Sequence, residues 1–258
     1  MSLAALVLSF TDAWWAGAAG VPFPEVLRIG AGLLVGLAAA GTSESTVYLV
    51  DRHPITRRGF RCLINERTSL QIIGETGEAR QAFDDITQSP PDLVVASLSV
   101  EGMGGISFVE RLLAYDRDLR ILAVSDRQSA LYGERTLRAG AKGYIRKSEP
   151  ASAFTEAIRT VLNGDFHLPT DVQNLVVRRS TSQSPDSAQG DSGIEALSTR
   201  ELEVFERMGR GRSTAEIAED LNISTKTVHS HRRSAQKKIG ADTLQELTYL
   251  AVRWVHDC

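Results

Sequence analysis

TAEIAEDLNISTKTVHSHRRSAQKKI, residues 214–239, is the stretch that decides the C-terminal fold. Ile217, Ala218 and Leu221 share one face of a first helix. Asn222-Ile223-Ser224 then makes a tight turn, and Ser224 is placed to cap the helix that follows. That second helix carries Lys226, Arg232, Arg233, Lys237 and Lys238 together with His229 and His231, and no acidic residue. Val228, Ala235 and Ile239 are spaced to anchor it to a core, which leaves His229, Ser230, Arg233 and Lys237 on outward faces. A cationic run of this kind is often no more than a solvated helix face. The chemistry it suits beyond that is a major groove. Arg233 can pair bidentately with guanine, and His229 and Ser230 can bond base edges or phosphate. Lys226, Thr227, Lys237 and Lys238 suit the phosphate backbone, and Arg232 is a further DNA-binding candidate.

Working outward, four helical segments separated by short breaks are predicted over Thr199–Met208, Thr214–Leu221, Thr225–Ile239 and Thr243–Trp254. Leu197-Ser198-x-Arg200-Glu201-x-Glu203-Val204, then Glu216-Ile217-Ala218, then Ser224-x-Lys226-Thr227-Val228-x-x-His231 and finally Lys238-Ile239-Gly240 resemble the DNA-binding domain of the LuxR/NarL/FixJ group. The resemblance implies a four-helix domain whose third helix reads double-stranded DNA and whose fourth supplies a homodimer contact. The positions equivalent to the family's base-reading residues fall on His229, Ser230 and Arg233. They differ from the Lys and Val common there, so no operator sequence is carried over.

Residues 46–168 follow a different pattern, in which short β-branched apolar runs alternate with longer amphipathic stretches. Strands are predicted at Thr46–Val50, Gln71–Gly74, Leu93–Leu98, Ile121–Val124 and Gly143–Arg146. Helices are predicted at Ile55–Asn65, Ala79–Ser89, Ile106–Tyr115, Ala130–Ala139 and Ala151–Asn163. Five βα units give an α/β doubly wound, five-stranded parallel sheet of flavodoxin-like type, followed by the small all-α helix-turn-helix domain at 196–258.

Val50-Asp51-Arg52-His53-Pro54, Asp92-Leu93-Val94-Val95, Gly102-Met103-x-Gly105 and Ala139-Gly140-Ala141-x-Gly143-Tyr144-Ile145-x-Lys147 resemble a response-regulator receiver of the NarL/FixJ type. The resemblance implies a phosphoryl pocket, and here that pocket is degenerate. Receiver chemistry needs a nucleophilic carboxylate at the end of the third strand, where Ser97 stands; a hydroxyl there forms no acyl phosphate and is a poor magnesium ligand. Asp51 keeps one acidic position after the first strand, but its neighbour is Arg52, with which an internal ion pair is expected. Ser125, Tyr144 and Lys147 stand where the switch hydroxyl, switch aromatic and phosphate-binding amine belong. Glu101 and Gly104 depart from the family's Pro and Asp. Each surviving residue also has a plain structural role open to it, as a cap, a packed ring or a solvated charge.

The chain has 258 residues, 42% of them apolar, enough for two domains with cores of their own. Its 29 Lys and Arg against 32 Asp and Glu give no overall basic character, so an affinity for nucleic acid rests on the local run in 225–239. Cys62 and Cys258 have no ligand spacing, which argues against a disulfide framework or a zinc site and fits a cytoplasmic location. No nucleophile, base and orienting group converge, so neither an enzyme nor a bound cofactor or metal is expected. Residues 1–45 form an apolar extension whose runs fall short of bilayer length, which makes a membrane anchor the weaker reading. Residues 169–195, which include RRSTSQSPDSAQGDSG at 178–193, have a linker composition. The function expected is a DNA-binding transcriptional regulator independent of phosphorylation at the usual receiver position. The alternative is a module that heterodimerises with a true response regulator or a sensor protein and tunes it.

Overall fold

The computed structural model describes residues 45–127, 129–181 and 193–257. Five parallel strands, β1 (Thr46–Val50), β2 (Gln71–Thr76), β3 (Leu93–Ser97), β4 (Ile121–Ser125) and β5 (Gly143–Arg146), form one sheet in the order β2-β1-β3-β4-β5. The central strands LVVAS and ILAVS are buried along their whole length, because helices cover both faces of the sheet. Helices α1 (Pro54–Arg67) and α5 (Ala151–Leu162) lie on one face, where the rings of Phe60 and Phe154 stack 4.8 Å apart. Helices α2 (Ala79–Gln88) and α3 (Gly105–Tyr115) cover the other with Ala82, Ile86, Phe108, Val109 and Leu112. Helix α4 (Ala130–Arg138) follows β4 and is capped by Ser129. The carboxyl ends of β1, β3, β4 and β5 therefore bring Asp51, Ser97, Ser125 and Lys147 to one edge, where sites form in sheets of this order.

The segment expected to be linker differs in its first half. Thr170–Thr181 forms helix α6, with Val172 fully buried against α4 and Asp171 paired with Arg146. The composition count missed it because contacts made far along the chain, Val172 on α4 and the ion pairs of Asp171 with Arg146 and of Arg179 with Glu134 and Glu195, order a helix of weak amphipathicity. Gly133 of α4 makes room for it, since a Cβ there would meet Val172. Residues 182–192 of that expected linker, and nearly all of the apolar N-terminal extension, lie outside the described residues. Among the described residues, no helix is long and apolar enough to cross a membrane.

A short 3-10 turn (Gly193–Ala196) leads into four helices: α7 (Thr199–Gly209), α8 (Thr214–Leu221), α9 (Thr225–Ile239) and α10 (Leu244–Asp257). Local chemistry sets their ends. Ser198 with Glu201 and Ser213 with Glu216 form capping boxes at the starts of α7 and α8. Asn222 closes α8 in the left-handed region at φ 51°, which an Asn tolerates better than most residues, and the chain turns at once into α9. Leu202, Phe205, Ile217, Leu221, Val228, Ala235, Leu247 and Ala251 form the helical domain's core. That core is continuous with Leu98, Ile106, Leu131 and Tyr132 of the sheet domain, so the two domains pack against each other through apolar surface.

Candidate nucleic-acid interface and sheet-edge pocket

Helix α9 begins at Ser224, whose Oγ accepts the Thr227 backbone N–H at 3.0 Å, as its position in the sequence predicted. The Thr227 hydroxyl lies 2.7 Å from the same oxygen, so this side chain helps to build the cap. Val228 and Ala235 are buried and Ile239 is partly buried, which fixes the roll of the helix. Lys226, His229, Ser230, Arg233 and Lys237 consequently face outward and are exposed. Lys226, His229, Ser230, Arg232 and Arg233, with Gln236 and Leu244, line an open concavity of about 510 Å³ between α9 and the start of α10. Gln236 donates to the carbonyls of Ala241 and Asp242 at 3.1 Å and so holds the turn between those helices.

Two of the basic residues expected at this face are engaged within the domain. Arg232 donates to the Thr214 hydroxyl at 2.7 Å and ties α9 to α8. Lys238 pairs with Glu201 of α7 at 2.7 Å. Burial would raise the Glu201 carboxyl, but hydrogen bonds from Lys238, Ser234 and Ser198 outweigh it and hold the group down at about 2. Net positive charge on α9 thus concentrates on the face carrying Lys226, Arg233 and Lys237.

At the sheet edge, Asp51 is fully buried. Its Oδ2 takes the Lys147 ammonium, while Oδ1 accepts the His53 backbone N–H at 2.8 Å and lies 2.9 Å from His53 Nδ1. The expected Asp51–Arg52 ion pair is replaced by these contacts. Consecutive residues leaving a strand point to opposite sides, so Asp51 turns inward and Arg52 is exposed, using only its backbone N–H to reach the Ser99 carbonyl. Ser97 is buried at the end of β3, and its hydroxyl accepts the Ser99 N–H at 3.1 Å. Ser125 accepts the Arg127 N–H at 3.0 Å. Tyr144 is buried and donates to the Arg127 carbonyl at 3.3 Å, and burial pushes its phenol up to about 12. This donor set does not fit a hard divalent cation. It offers one carboxylate already neutralised by Lys147, a serine hydroxyl and a neighbouring arginine, where such an ion needs several anionic oxygens.

The sequence reading missed a third cluster, at the seam between the domains. Glu206 of α7 is 2% exposed and accepts hydrogen bonds from Arg127 Nε at 2.6 Å and from the Tyr132 hydroxyl at 2.5 Å. Arg210 reaches the same carboxylate at 2.9 Å, and the Arg127 guanidinium lies 4.7 Å over the Tyr132 ring. Arg135 of α4 donates to the carbonyl of Leu197. One signal was available: Glu206 sits one turn after Leu202 and beside Phe205, within the apolar stripe of α7.

Comparison with known proteins matches residues 47–159 to the response regulator receiver domain and residues 195–251 to the family described as bacterial regulatory proteins, luxR family. The Fimbriae Z protein of Salmonella typhimurium is 29% identical over 203 residues, spanning 79% of this chain and 94% of its own. The oxygen regulatory protein NreC of Staphylococcus carnosus is 28% identical over 209 residues, 80% of this chain and 96% of its own. Among solved structures, a LuxR-family two-component response regulator from Aurantimonas sp. is 30% identical with a TM-score of 0.50, covering 54% of this chain and 99% of that one. RcsB of Salmonella enterica serovar Typhimurium, solved on promoter DNA, shares the fold at a TM-score of 0.63 and 20% identity, covering 84% of this chain and all of that one.

Proposed function

The chain belongs to the LuxR-family response regulators, DNA-binding regulators of transcription in two-component systems, and on that premise we propose how its own residues divide the work. Helix α9 enters the major groove of double-stranded DNA, His229, Ser230 and Arg233 meet base edges, and Lys226, Thr227 and Lys237 meet phosphates. The observation that carries this reading is the pairing, on one helix, of an exposed cationic face with the buried anchors Val228 and Ala235. Arg232 and Lys238 act indirectly, by fixing α9 against α8 and α7. The regulator works in the cytoplasm as a homodimer through α10, whose Tyr249 and Val252 lie exposed three residues apart on one outward stripe.

The receiver is set without phosphorylation at the usual position. Ser97 supplies no carboxylate to carry a phosphoryl group, and the Lys147 ammonium that would meet one is paired with Asp51. DNA affinity measured by fluorescence anisotropy is expected to be the same with and without beryllofluoride and magnesium. A magnesium-dependent rise in affinity overturns the reading.

A further inference from the structure

Helix α3 begins without a side-chain cap. Gly104 occupies the N-cap position at φ −70° and ψ 137°, a conformation open to any L-residue, so the backbone does not call for glycine there. Ser, Asp or Asn would cap the helix better, and the resemblance set out above places Asp at this position. What a side chain would meet there comes from the other domain: a Cβ at Gly104 falls on the carboxylate end of Glu203 of α7, so either that carboxylate moves or the two domains part. Glu203 is 4% exposed, bonded through Oε2 to Arg200 at 3.0 Å, while its buried Oε1 finds no hydrogen-bond partner. One turn along α7, Glu206 takes the Arg127 and Tyr132 donors of the receiver. Trp254 of α10 lies against the Tyr132 ring with centroids 6.0 Å apart. Apolar residues of both domains close the seam around these contacts.

We propose that Gly104 is a docking seat, vacated so that Glu203 can settle over the start of α3, and that with the Glu206–Arg127–Tyr132 latch it fixes the DNA-binding domain on the receiver. The departure at Gly104 is then an adaptation to docking rather than decay of the receiver. Docking does not mask α9, since His229, Ser230, Arg233 and Lys237 are exposed in the docked chain. The latch also meets the sheet-edge pocket at one residue. Arg127 is bonded through its backbone to Ser125 and Tyr144 and through its side chain to Glu206. A change at Ser125 or Tyr144 therefore has a hydrogen-bonded route to the DNA-binding domain through Arg127, without a phosphoryl group.

The test uses the full chain in the absence of DNA, with nitroxide labels at the exposed Cys62 and at Gln245→Cys in a Cys258→Ser background, read by pulsed electron resonance. The parent should give one narrow distance. Gly104→Asp should replace it with a broader, longer distribution while both domains keep their helical circular dichroism. Adding Glu203→Ala to that variant should bring the narrow distance back, because the group the new side chain displaces is gone. A Gly104→Asp chain that keeps the parent distance, or a double variant that stays open, overturns the proposal. Should Gly104→Asp fail to fold, Glu206→Ala decides: an open distribution supports the latch, and an unchanged narrow distance refutes it.

Discussion

Arg233 on α9 and Arg127 at the seam are the same side chain put to opposite uses. Arg233 stands in water among other cations, with no burial to offset and its fork of donors turned outward. Arg127 is only 12% exposed in its side chain, paired with Glu206, and laid over the ring of Tyr132. The first arrangement is poor for stability and good for recognition, because exposed like charges repel each other until a polyanion arrives. The second is good for geometry, since a buried charge tolerates only the partner that neutralises it. The contrast teaches that a basic residue is assigned by its surroundings and its anchors, not by its type.

The comparison can be broken most forcefully at the seam. Glu206→Ala leaves the buried Tyr132 hydroxyl without its acceptor and Arg127 with Asp126 as its remaining partner, and should cost the docked chain about 3–5 kcal/mol, measured by urea unfolding. A loss below about 1 kcal/mol, the range of exposed pairs, would show that the seam is not the buried partner set described here. On α9 the order of effects reverses. Arg233→Ala should leave the urea midpoint nearly unchanged and weaken specific DNA binding by roughly 1–3 kcal/mol with relaxed sequence preference. Lys237→Ala should instead weaken binding to all sequences alike and reduce the salt slope by about one. Equal losses on specific and random DNA for Arg233→Ala would move that residue from the bases to the phosphates.

Smaller effects sharpen the picture of what holds α9 in place. Ser224→Ala removes the acceptor for the Thr227 N–H and should cost about 1 kcal/mol of stability, with a matching loss of helical signal early in thermal melting. Glu201 gives a pH-dependent readout of the Lys238 contact. Its folded-state value is depressed from an ordinary 4.5 to about 2, so the stability it contributes is present above pH 4.5 and lost as pH falls toward 2. Lys238→Met should raise the Glu201 value in a carboxyl NMR titration, while DNA affinity changes less than it does for Lys237→Ala. An unmoved titration would mean that Ser234 and Ser198 alone set it.

Everything carried by local pattern is legible in the order of the residues alone. Short β-branched apolar runs located the five strands and period-3.6 spacing every described helix but α6, Ser224 announced the start of α9, and Val228 with Ala235 fixed which face of it turns outward. These signals are legible because they act within a turn or two of the chain. The departure at Ser97 was equally plain, since strand ends can be counted. The long-range partners were set by the packing of the folded chain. It gave Asp51 to Lys147, 96 residues away, rather than to the adjacent Arg52. It ordered Thr170–Thr181 as a helix on α4, and it brought Glu206 to Tyr132 and Arg127 across 74 and 79 residues. No local period encodes such pairs, because the low-dielectric setting that makes them strong exists only once both domains have closed over them.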